Sequence, residues 1–232
     1  RFAVAALRGA TMPAVSETSH VRWRDIPATL RNRPFRRYLM AVMIYNAPFF
    51  LSITYYQVYH LQVLGMRESF IGYMLAGYYV VKILSMSLVG RYADRVGARR
   101  ALLCLGPAYV VFFTGYCLAG PGWIWPVVLA WLLAGFADAG YMVAMMGALY
   151  GSVPQVRSRP AFFAVYNLLL IGTYGIGALV AVPVLDALRE VHVWIGPLGF
   201  GQFQVFFGAV ALMMALCLWG AALLVKTGRT DG

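Results

Sequence analysis

Charged residues are scarce in this sequence, and acidic ones are the scarcest. Only 12% of the 232 residues are Asp, Glu, Lys or Arg, whereas a soluble domain carries roughly 25%. The 8 acidic residues are outnumbered by 19 basic ones, which gives a net charge of +11. So small a charged fraction excludes an ordinary soluble domain. Without such a domain to carry the positive charge, no nucleic-acid partner is expected.

Cysteine and histidine are equally scarce, with three of each. The cysteines lie in apolar runs without metal-ligand spacing, at Cys104, Cys117 and Cys217. The histidines form no paired His/Glu motif, and the sequence has no nucleophile elbow and no carboxylate dyad. The sequence therefore predicts no catalytic residue, no metal site and no cofactor, and the protein is not expected to be an enzyme.

Long apolar runs are what the sequence has instead. Hydrophobic residues make up 62% of the chain, and the mean hydropathy is +0.72. About 20 apolar residues are enough to cross a bilayer as a helix. Six such runs cover residues 38–63, 70–89, 101–119, 123–150, 161–184 and 203–225. The predicted fold is all-α, a polytopic membrane protein built as a bundle of six transmembrane helices.

The basic residues are unevenly distributed about these runs. Sixteen of the 19 fall on one side of the predicted bundle, in residues 1–37, 90–100, 151–160 and the tail after Val225. The alternate connectors hold only Arg67 and Arg189. Cytoplasmic loops carry the excess of Lys and Arg, so both termini are expected in the cytoplasm, at a plasma or bacterial inner membrane with anionic lipids.

The same pattern predicts three regions along the chain. Residues 1–37 form a basic cytoplasmic linker or tail, residues 38–225 form the six-helix membrane domain, and residues 226–232 form a second cytoplasmic tail.

The connector GRYADRVGARR, residues 90–100, has the densest charge between two apolar runs. It resembles the loop Gly-x-Leu-Ala-Asp-Arg-x-Gly-Arg-Lys, which joins the second and third helices of each six-helix half in the major facilitator superfamily. The matching residues are Gly90, Ala93, Asp94, Arg95, Gly97 and Arg99. Tyr92 stands where the family has Leu, and Ala98 replaces a basic residue while Arg100 adds one.

The residue types of this loop favour a conformational latch. Gly90 and Gly97 are expected to permit a close approach and a tight reversal between helices. Asp94 can interact with the positive N-terminal end of a neighbouring helix, and the arginines can pair with acids or lipid phosphates. The alternative is a plain basic loop that topology alone requires.

The resemblance implies a secondary transporter that moves a small-molecule substrate by alternating access, coupled to protons. Two six-helix halves of such a transporter rock about a site between them. Residues 21–39 resemble the central cytoplasmic loop, so the chain is expected to be the C-terminal half, with the N-terminal half as the alternative. Its partners would be the missing half, the substrate, protons and membrane lipids. A stand-alone six-helix scaffold or receptor-like module without transport activity is the competing function.

Asp138 is the most unusual residue of the apolar runs. It lies near the middle of the run from Ile124 to Tyr150, where an ionised carboxylate costs at least ~2.5–3.5 kcal/mol. Either it forms a structural pair with Lys82, or it lines the cavity and binds a proton or a cationic substrate group. Lys82 itself lies ~10 Å from the end of its run. It could reach the headgroups, neutralise Asp138 or bind an anionic substrate group.

The other candidates for the substrate and coupling cavity are Tyr55, Tyr56, Gln57, Tyr78 and Asn167. The first three lie in the first span, which lines the central cavity in the resembled family. Tyr78 lies one helical turn before Lys82 and shares its face. Asn167 belongs to the fifth span, where a helix–helix contact is the alternative. Tyr59 and His60, near the end of the first span, also suit an interfacial aromatic belt.

Overall fold

The computed structural model describes residues 25–154, 159–195 and 198–227. Within them lie the helices α1 (Asp25–Arg31), α2 (Arg33–Val58), α3 (Glu68–Val96), α4 (Ala98–Leu118), α5 (Trp125–Ser152), α6 (Arg159–Ala187) and α7 (Gln202–Thr227). Six of them, α2 to α7, are long and apolar enough to cross a membrane. The predicted six-helix membrane bundle is confirmed.

Helix α2 begins earlier than its apolar run. Asn32 caps it, because its side-chain oxygen accepts a hydrogen bond from the backbone N–H of Phe35 at 3.1 Å, and Pro34 in the first turn has the fixed backbone angle that helix starts favour. The last turn of this span is a π-helix, Tyr59–Val63. Hydropathy located the part of the helix that suits a membrane, whereas capping determines where the helix starts.

The connector predicted over residues 90–100 is mostly helical. Helix α3 continues to Val96 and α4 begins at Ala98, so Gly97 alone separates them. Gly97 has φ 83°, in the left-handed region that favours glycine, so the predicted tight reversal lies here. Gly90 lies inside α3, and a Cβ built on it would meet no atom of the described residues within 4 Å. The close approach expected at Gly90 is therefore not found among the described residues. Charge at a membrane surface does not by itself end a helix, so α3 continues through Gly90 to Val96.

The connector between α6 and α7 also differs from a plain loop. It contains a small antiparallel hairpin of β1 (Val193–Ile195) and β2 (Leu198–Phe200), with Val193 opposite Phe200. These short strands are the one β element of the described residues besides a single bridge between Gly120 and Trp123.

The helices pack unevenly around the bundle. Helix α5 packs against α3 and α4, α4 packs against α7, and α2 packs against α6 and α7. Of the most apolar stretch of each helix, 44% is buried for α4 and α5, but only 6% for α3 and 17% for α6. Helices α3 and α6 therefore present most of their apolar side chains outside the six-helix bundle.

Gly135 sets the distance between α3 and α5. A Cβ at this position would lie 2.6 Å from the backbone oxygen of Tyr78, so any larger residue would force the two helices apart. Asp138 follows Gly135 by three residues and Lys82 follows Tyr78 by four, so each pair shares a helix face. The close contact at Gly135 thus brings the polar side chains of α3 within reach of Asp138.

Candidate functional site

Asp138 is the centre of a hydrogen-bonded network that joins three helices. Its Oδ2 forms an ion pair with the Nζ of Lys82 and accepts a hydrogen bond from the Tyr78 hydroxyl at 2.7 Å. Its Oδ1 accepts a hydrogen bond from the Tyr109 hydroxyl of α4 at 3.1 Å. We call Asp138, Lys82, Tyr78 and Tyr109 the Asp138 network. In the part of the chain that the structure describes, this ion pair is the only one.

The depth and exposure of this network are unusual for charged groups. Asp138 follows the first residue of α5 by 13 positions and precedes the last by 14, so it lies at mid-helix. The side chains of Lys82 and Asp138 are 20% and 21% exposed. Because hydrocarbon does not solvate ions, a partly exposed pair at this depth must face either water or further protein. The pair is thus positioned to respond to whatever occupies that space.

A pocket of about 410 Å³ opens beside Asp138. Its lining contains one carboxylate among aromatic, amide, thioether and aliphatic side chains: Asn46, Phe49, Tyr109, Asp138, Tyr141, Met142, Met146, Tyr166, Asn167, Leu170 and Tyr174. These residues come from α2, α4, α5 and α6, whereas Lys82 and Tyr78 reach Asp138 from α3 and are not part of the lining. Asp138 therefore connects the pocket to α3.

A second set of hydrogen bonds holds α2 against α5 at the pocket. The Asn46 amide donates to the Tyr141 hydroxyl at 2.6 Å, and that hydroxyl donates to the Asn46 side-chain oxygen at 2.8 Å. The ring of Tyr45 stacks on Tyr141 with a centroid distance of 5.4 Å, and Phe49 meets Tyr109 edge to face at 4.9 Å. The rings fix the orientation of Tyr109 and hence of the hydrogen bond to Asp138.

The cavity candidates from the sequence fall into two groups. Lys82 and Tyr78 contact Asp138 directly, and Asn167 lines the pocket, with its amide donating to the Phe163 carbonyl at 3.0 Å. The structure does not bring the three candidates of the first span together with Asp138. Of these, Tyr55 packs against Phe206 of α7, Tyr56 packs against Phe207 and Tyr116, and Gln57 is exposed.

The residues of the resembled loop lie at the opposite end of α3 from Glu68. Asp94, Arg95 and Arg100 are exposed, and Gly97 forms the turn. The side chain of Arg99 lies outside the described residues. No described side chain forms an ion pair with Asp94.

Sequence reasoning missed Tyr109 and Tyr141 as members of the site. Tyr109 is buried and Tyr141 is partly buried, and both hydroxyls are hydrogen bonded inside the bundle. Tyr109 lies near the middle of α4 and Tyr141 lies three residues after Asp138 on α5. A mid-span tyrosine, remote from both interfaces where tyrosine is common, is the signal that could have identified them.

A separate polar cluster lies at the C-terminal end of the first span, Arg33–Val63. The Tyr116 hydroxyl is 2.9 Å from Nε2 of His60 and accepts a hydrogen bond from the Trp131 indole at 2.7 Å. The Tyr59 hydroxyl donates to the backbone oxygens of Tyr116 and Ala119. We call Tyr59, His60, Tyr116 and Trp131 the His60 cluster. Tyr59 and Tyr116 are 0% exposed and His60 1%, so Tyr59 and His60 face the interior and not an interfacial belt.

The hydrogen bonds of Tyr116 determine the proton position on His60. Its hydroxyl oxygen already accepts from Trp131, so donation of its own hydrogen to Nε2 of His60 leaves the fewest groups without a partner. That arrangement places the ring proton of His60 on Nδ1. Nδ1 is buried and has no hydrogen-bond partner among the described residues.

The family of the chain follows from a comparison of its sequence with protein-family models. The model described as Major Facilitator Superfamily matches residues 37–231. The chain belongs to the Major Facilitator Superfamily. A comparison with curated proteins found no matching sequence. Proteins of this superfamily are transporters rather than enzymes, and they move small molecules across membranes.

This membership decides between the two function classes left open by the sequence. The chain is a multi-pass membrane protein, and its family indicates a membrane transporter of the Major Facilitator Superfamily. The resemblance of the Gly97 turn to the superfamily loop and the order of six spans agree with the family match over 37–231.

Proposed function

We propose that this chain is one six-helix half of a secondary active transporter, and that Asp138 couples substrate movement to a proton gradient. The observation that carries the proposal is the position of Asp138, at mid-depth on α5, in the pocket lining and paired with Lys82. One carboxylate thereby belongs both to a solute-sized cavity and to a contact between two helices.

The case for a half rests on what the bundle leaves uncovered. The pocket is open. Helix α3, which packs on α5, and helix α6, which packs on α2, have the least buried apolar surface of the six spans. A charged pair that is about one-fifth exposed needs a water-filled cavity or a second protein wall. A second six-helix half supplies both in transporters that rock about a central site.

Protonation of Asp138 would change contacts on both sides of α5. The ionised carboxylate accepts charge-assisted hydrogen bonds from Lys82 and Tyr78, which are stronger than neutral ones. A proton on Asp138 removes the negative charge that holds Lys82, so α3 loses its strongest polar contact with α5. A proton exchanged in the pocket can in this way alter how α3 packs on α5.

The orientation and the identity of the half belong to the same proposal. The excess of Lys and Arg at one side supports a plasma or inner membrane location with both termini in the cytoplasm, a basic linker over residues 1–37 and a tail over 226–232. The basic segment that leads into α2 resembles the central loop before a seventh helix, which favours the C-terminal half. The Gly97 turn with Asp94, Arg95, Arg99 and Arg100 would then act as the cytoplasmic latch.

Transport by the full-length protein in proteoliposomes tests the coupling role. A panel of labelled small solutes is offered with and without an imposed proton gradient, and Asp138→Asn is compared with the unsubstituted protein. Asp138→Asn is expected to insert normally, to lose gradient-driven accumulation and to retain exchange of substrate across the membrane. Asp186→Asn, which removes an exposed acid of α6, is the matched control and should accumulate substrate normally. Gradient-driven accumulation by Asp138→Asn would refute the coupling role.

A further inference from the structure

Tyr45 on α2 is a buried tyrosine whose hydroxyl has no hydrogen-bond partner among the described residues. The residue is only 8% exposed. Its ring stacks on Tyr141 with an interplanar angle of 12°, and it meets Tyr109 at 83° with the ring centroids 6.5 Å apart. Buried polar atoms nearly always have a partner, and an unpaired one lowers stability. A hydroxyl at this position is therefore expected to find its partner in another state of the protein.

The side chains around Tyr45 differ in whether they could supply that partner. The ionisable groups within electrostatic range of its hydroxyl are Asp138 and Tyr141 of α5, Tyr109 of α4 and Cys217 of α7. The Tyr141 hydroxyl both donates to and accepts from one side-chain amide, and the Cys217 thiol donates to a backbone oxygen at 3.5 Å. The hydrogen of Tyr109 is instead directed at Asp138, whose charge changes in the proposed function. Tyr109 is thus the neighbour whose hydrogen bond depends on protonation.

Protonation of Asp138 would reverse the direction of that hydrogen bond. The ionised carboxylate only accepts, from Lys82 and Tyr78 of α3 at Oδ2 and from Tyr109 at Oδ1. Tyr174 of α6 also lies within electrostatic range, but no hydrogen bond joins it to Asp138. A protonated carboxyl has an O–H that needs an acceptor, and the ammonium of Lys82 cannot accept. A proton on Oδ1 therefore faces Tyr109, whose oxygen can accept it when its own hydrogen turns away from Oδ1.

We propose that the Tyr45 hydroxyl accepts this hydrogen, so that neutral Asp138 donates to Tyr109 and Tyr109 donates to Tyr45. This role rests on the proposed function, in which Asp138 takes up the proton. One proton is added to Oδ1 of Asp138, while Tyr109 keeps its hydrogen and only changes the group to which it donates. The two tyrosine rings are in contact, and a small adjustment must bring their hydroxyls together. Tyr45 is thus a positioning residue that stabilises neutral Asp138 through Tyr109 and favours the release of Lys82.

Infrared difference spectra of the full-length protein in proteoliposomes test this role. They record the carbonyl stretch of protonated carboxylic acids as the pH is raised, and the part that Asp138→Asn abolishes belongs to Asp138. In Tyr45→Phe, the pH at which half of this signal is lost is expected to fall by about 0.4–1 pH unit, because the neutral acid loses a hydrogen-bond chain that stabilises it. The change also removes an unpaired buried hydroxyl, so it should not lower the midpoint of thermal unfolding.

Tyr59→Phe is the matched control on the same span. Tyr59 is 0% exposed and its hydroxyl already donates to two backbone oxygens, so this change should lower the thermal midpoint and leave the Asp138 signal at its original pH. An unshifted signal in Tyr45→Phe, or an equal shift in both variants, would overturn the role of Tyr45 and leave proton uptake by Asp138 intact. An equal loss of thermal stability in both variants would show that the Tyr45 hydroxyl is always paired, which also overturns its role. The absence of any Asp138-dependent signal would refute the proposed function and this role with it.

Discussion

The Asp138 network and the His60 cluster are built from similar side chains, yet they meet different surroundings in one bundle. Each centres on one ionisable group bonded to tyrosine hydroxyls. Asp138 is paired with a cation, and its side chain is 21% exposed beside a pocket. His60 is 1% exposed among aromatic rings and hydrogen bonded to a neutral hydroxyl.

In the proposed function, this difference separates a group that responds to the pocket from a cluster that holds helices together. The partly exposed ion pair is within reach of whatever fills the pocket, because water or substrate can contact its charged groups. A sealed neutral cluster has no such alternative partner, and each broken hydrogen bond leaves a buried polar group unsatisfied. We therefore assign transport effects to the Asp138 network and stability effects to the His60 cluster.

Trp131 is the residue where the two regions meet. Its indole donates to Tyr116 in the His60 cluster, and its ring lies edge to face with Tyr78 at 5.4 Å. It precedes Asp138 by seven residues on α5, or ~10 Å along the helix. Substitutions that keep the Trp131 ring in place are thus the cleanest tests of the comparison.

The largest effect is expected for Tyr116→Phe, which breaks the His60 cluster. The change removes the hydroxyl shared by His60 and Trp131, so the buried Nε2 of His60 and the indole N–H of the partly buried Trp131 both lose this partner. The free energy of unfolding in detergent micelles should fall by about 2–3 kcal/mol. Tyr73→Phe, at a tyrosine that is 76% exposed, is the control and should leave it unchanged. If Tyr116→Phe folds but loses accumulation to the extent expected of Asp138→Asn, the two regions do not differ in function as we propose.

Tyr78→Phe is expected to lower transport and to leave stability nearly unchanged, which is the reverse of Tyr116→Phe. It removes the 2.7 Å hydrogen bond to Asp138 but keeps the ring against Trp131. In the proposed coupling role this hydrogen bond acts in the transport cycle, and the rate of gradient-driven uptake should fall roughly 10-fold, or ~1.4 kcal/mol. Asp138 keeps Lys82 and Tyr109 as partners. The midpoint of thermal unfolding should change little. Tyr79→Phe, at the neighbouring exposed tyrosine, should transport normally, and equal losses in the two variants would count against the network.

A smaller loss of uptake is expected for Tyr109→Phe. Its hydrogen bond to Oδ1 of Asp138 is longer, at 3.1 Å, and Tyr109 itself lines the pocket. A water molecule can replace the hydroxyl there, so the uptake rate should fall only ~3-fold. Initial uptake rates of Tyr78→Phe and Tyr109→Phe in the same vesicles make the comparison. A larger loss for Tyr109→Phe would mean that the pocket side of Asp138 matters more than the Lys82 side.

The smallest effect is expected at the Gly97 turn, with Asp94→Asn. Asp94 is exposed and lies four residues before the start of α4, so it can interact with the positive end of that helix. Interactions of this kind are modest, and we expect the transport rate to change roughly 2-fold without loss of membrane insertion. Identical kinetics for Asp94→Asn and the unsubstituted protein would mean that the turn is a plain basic loop, required by topology alone, and not a latch.

Hydropathy predicted which helices suit a membrane, but it predicted neither the short helix α1 (Asp25–Arg31) nor the residues at which the helices end. The six runs follow from the thickness of a bilayer, which sets a minimum length for any spanning helix. Helix α3 nevertheless extends past Val89 to Val96, and α2 starts at Arg33. Polarity marks the membrane surface, whereas Asn32 as a cap and the left-handed Gly97 mark the helix ends. The last two signals are local and lie outside the apolar pattern.

The sequence predicted those members of the candidate site that are charged residues within apolar runs. It did not predict which aromatic side chains lie at the depth of the pocket. Asp138 and Lys82 stand out in apolar runs, and spacing from Lys82 identified Tyr78. Tyr56 lies seven residues after Phe49 on the same face of α2, but ~10 Å further along the helix. It therefore packs in the aromatic surroundings of Tyr116 instead of the pocket, because the pocket occupies only one level of the bundle.

Gradient-driven accumulation by Lys82→Ala, Asp138→Ala and the double variant tests the coupling role of Asp138 most directly. All three are measured in proteoliposomes after equal membrane insertion has been verified. If Asp138 carries the proton, the double variant lacks accumulation as completely as Asp138→Ala does. If Asp138 and Lys82 are only a structural pair, removing both charges relieves the unpaired charge that each single variant leaves. Restored accumulation in the double variant would contradict the coupling role.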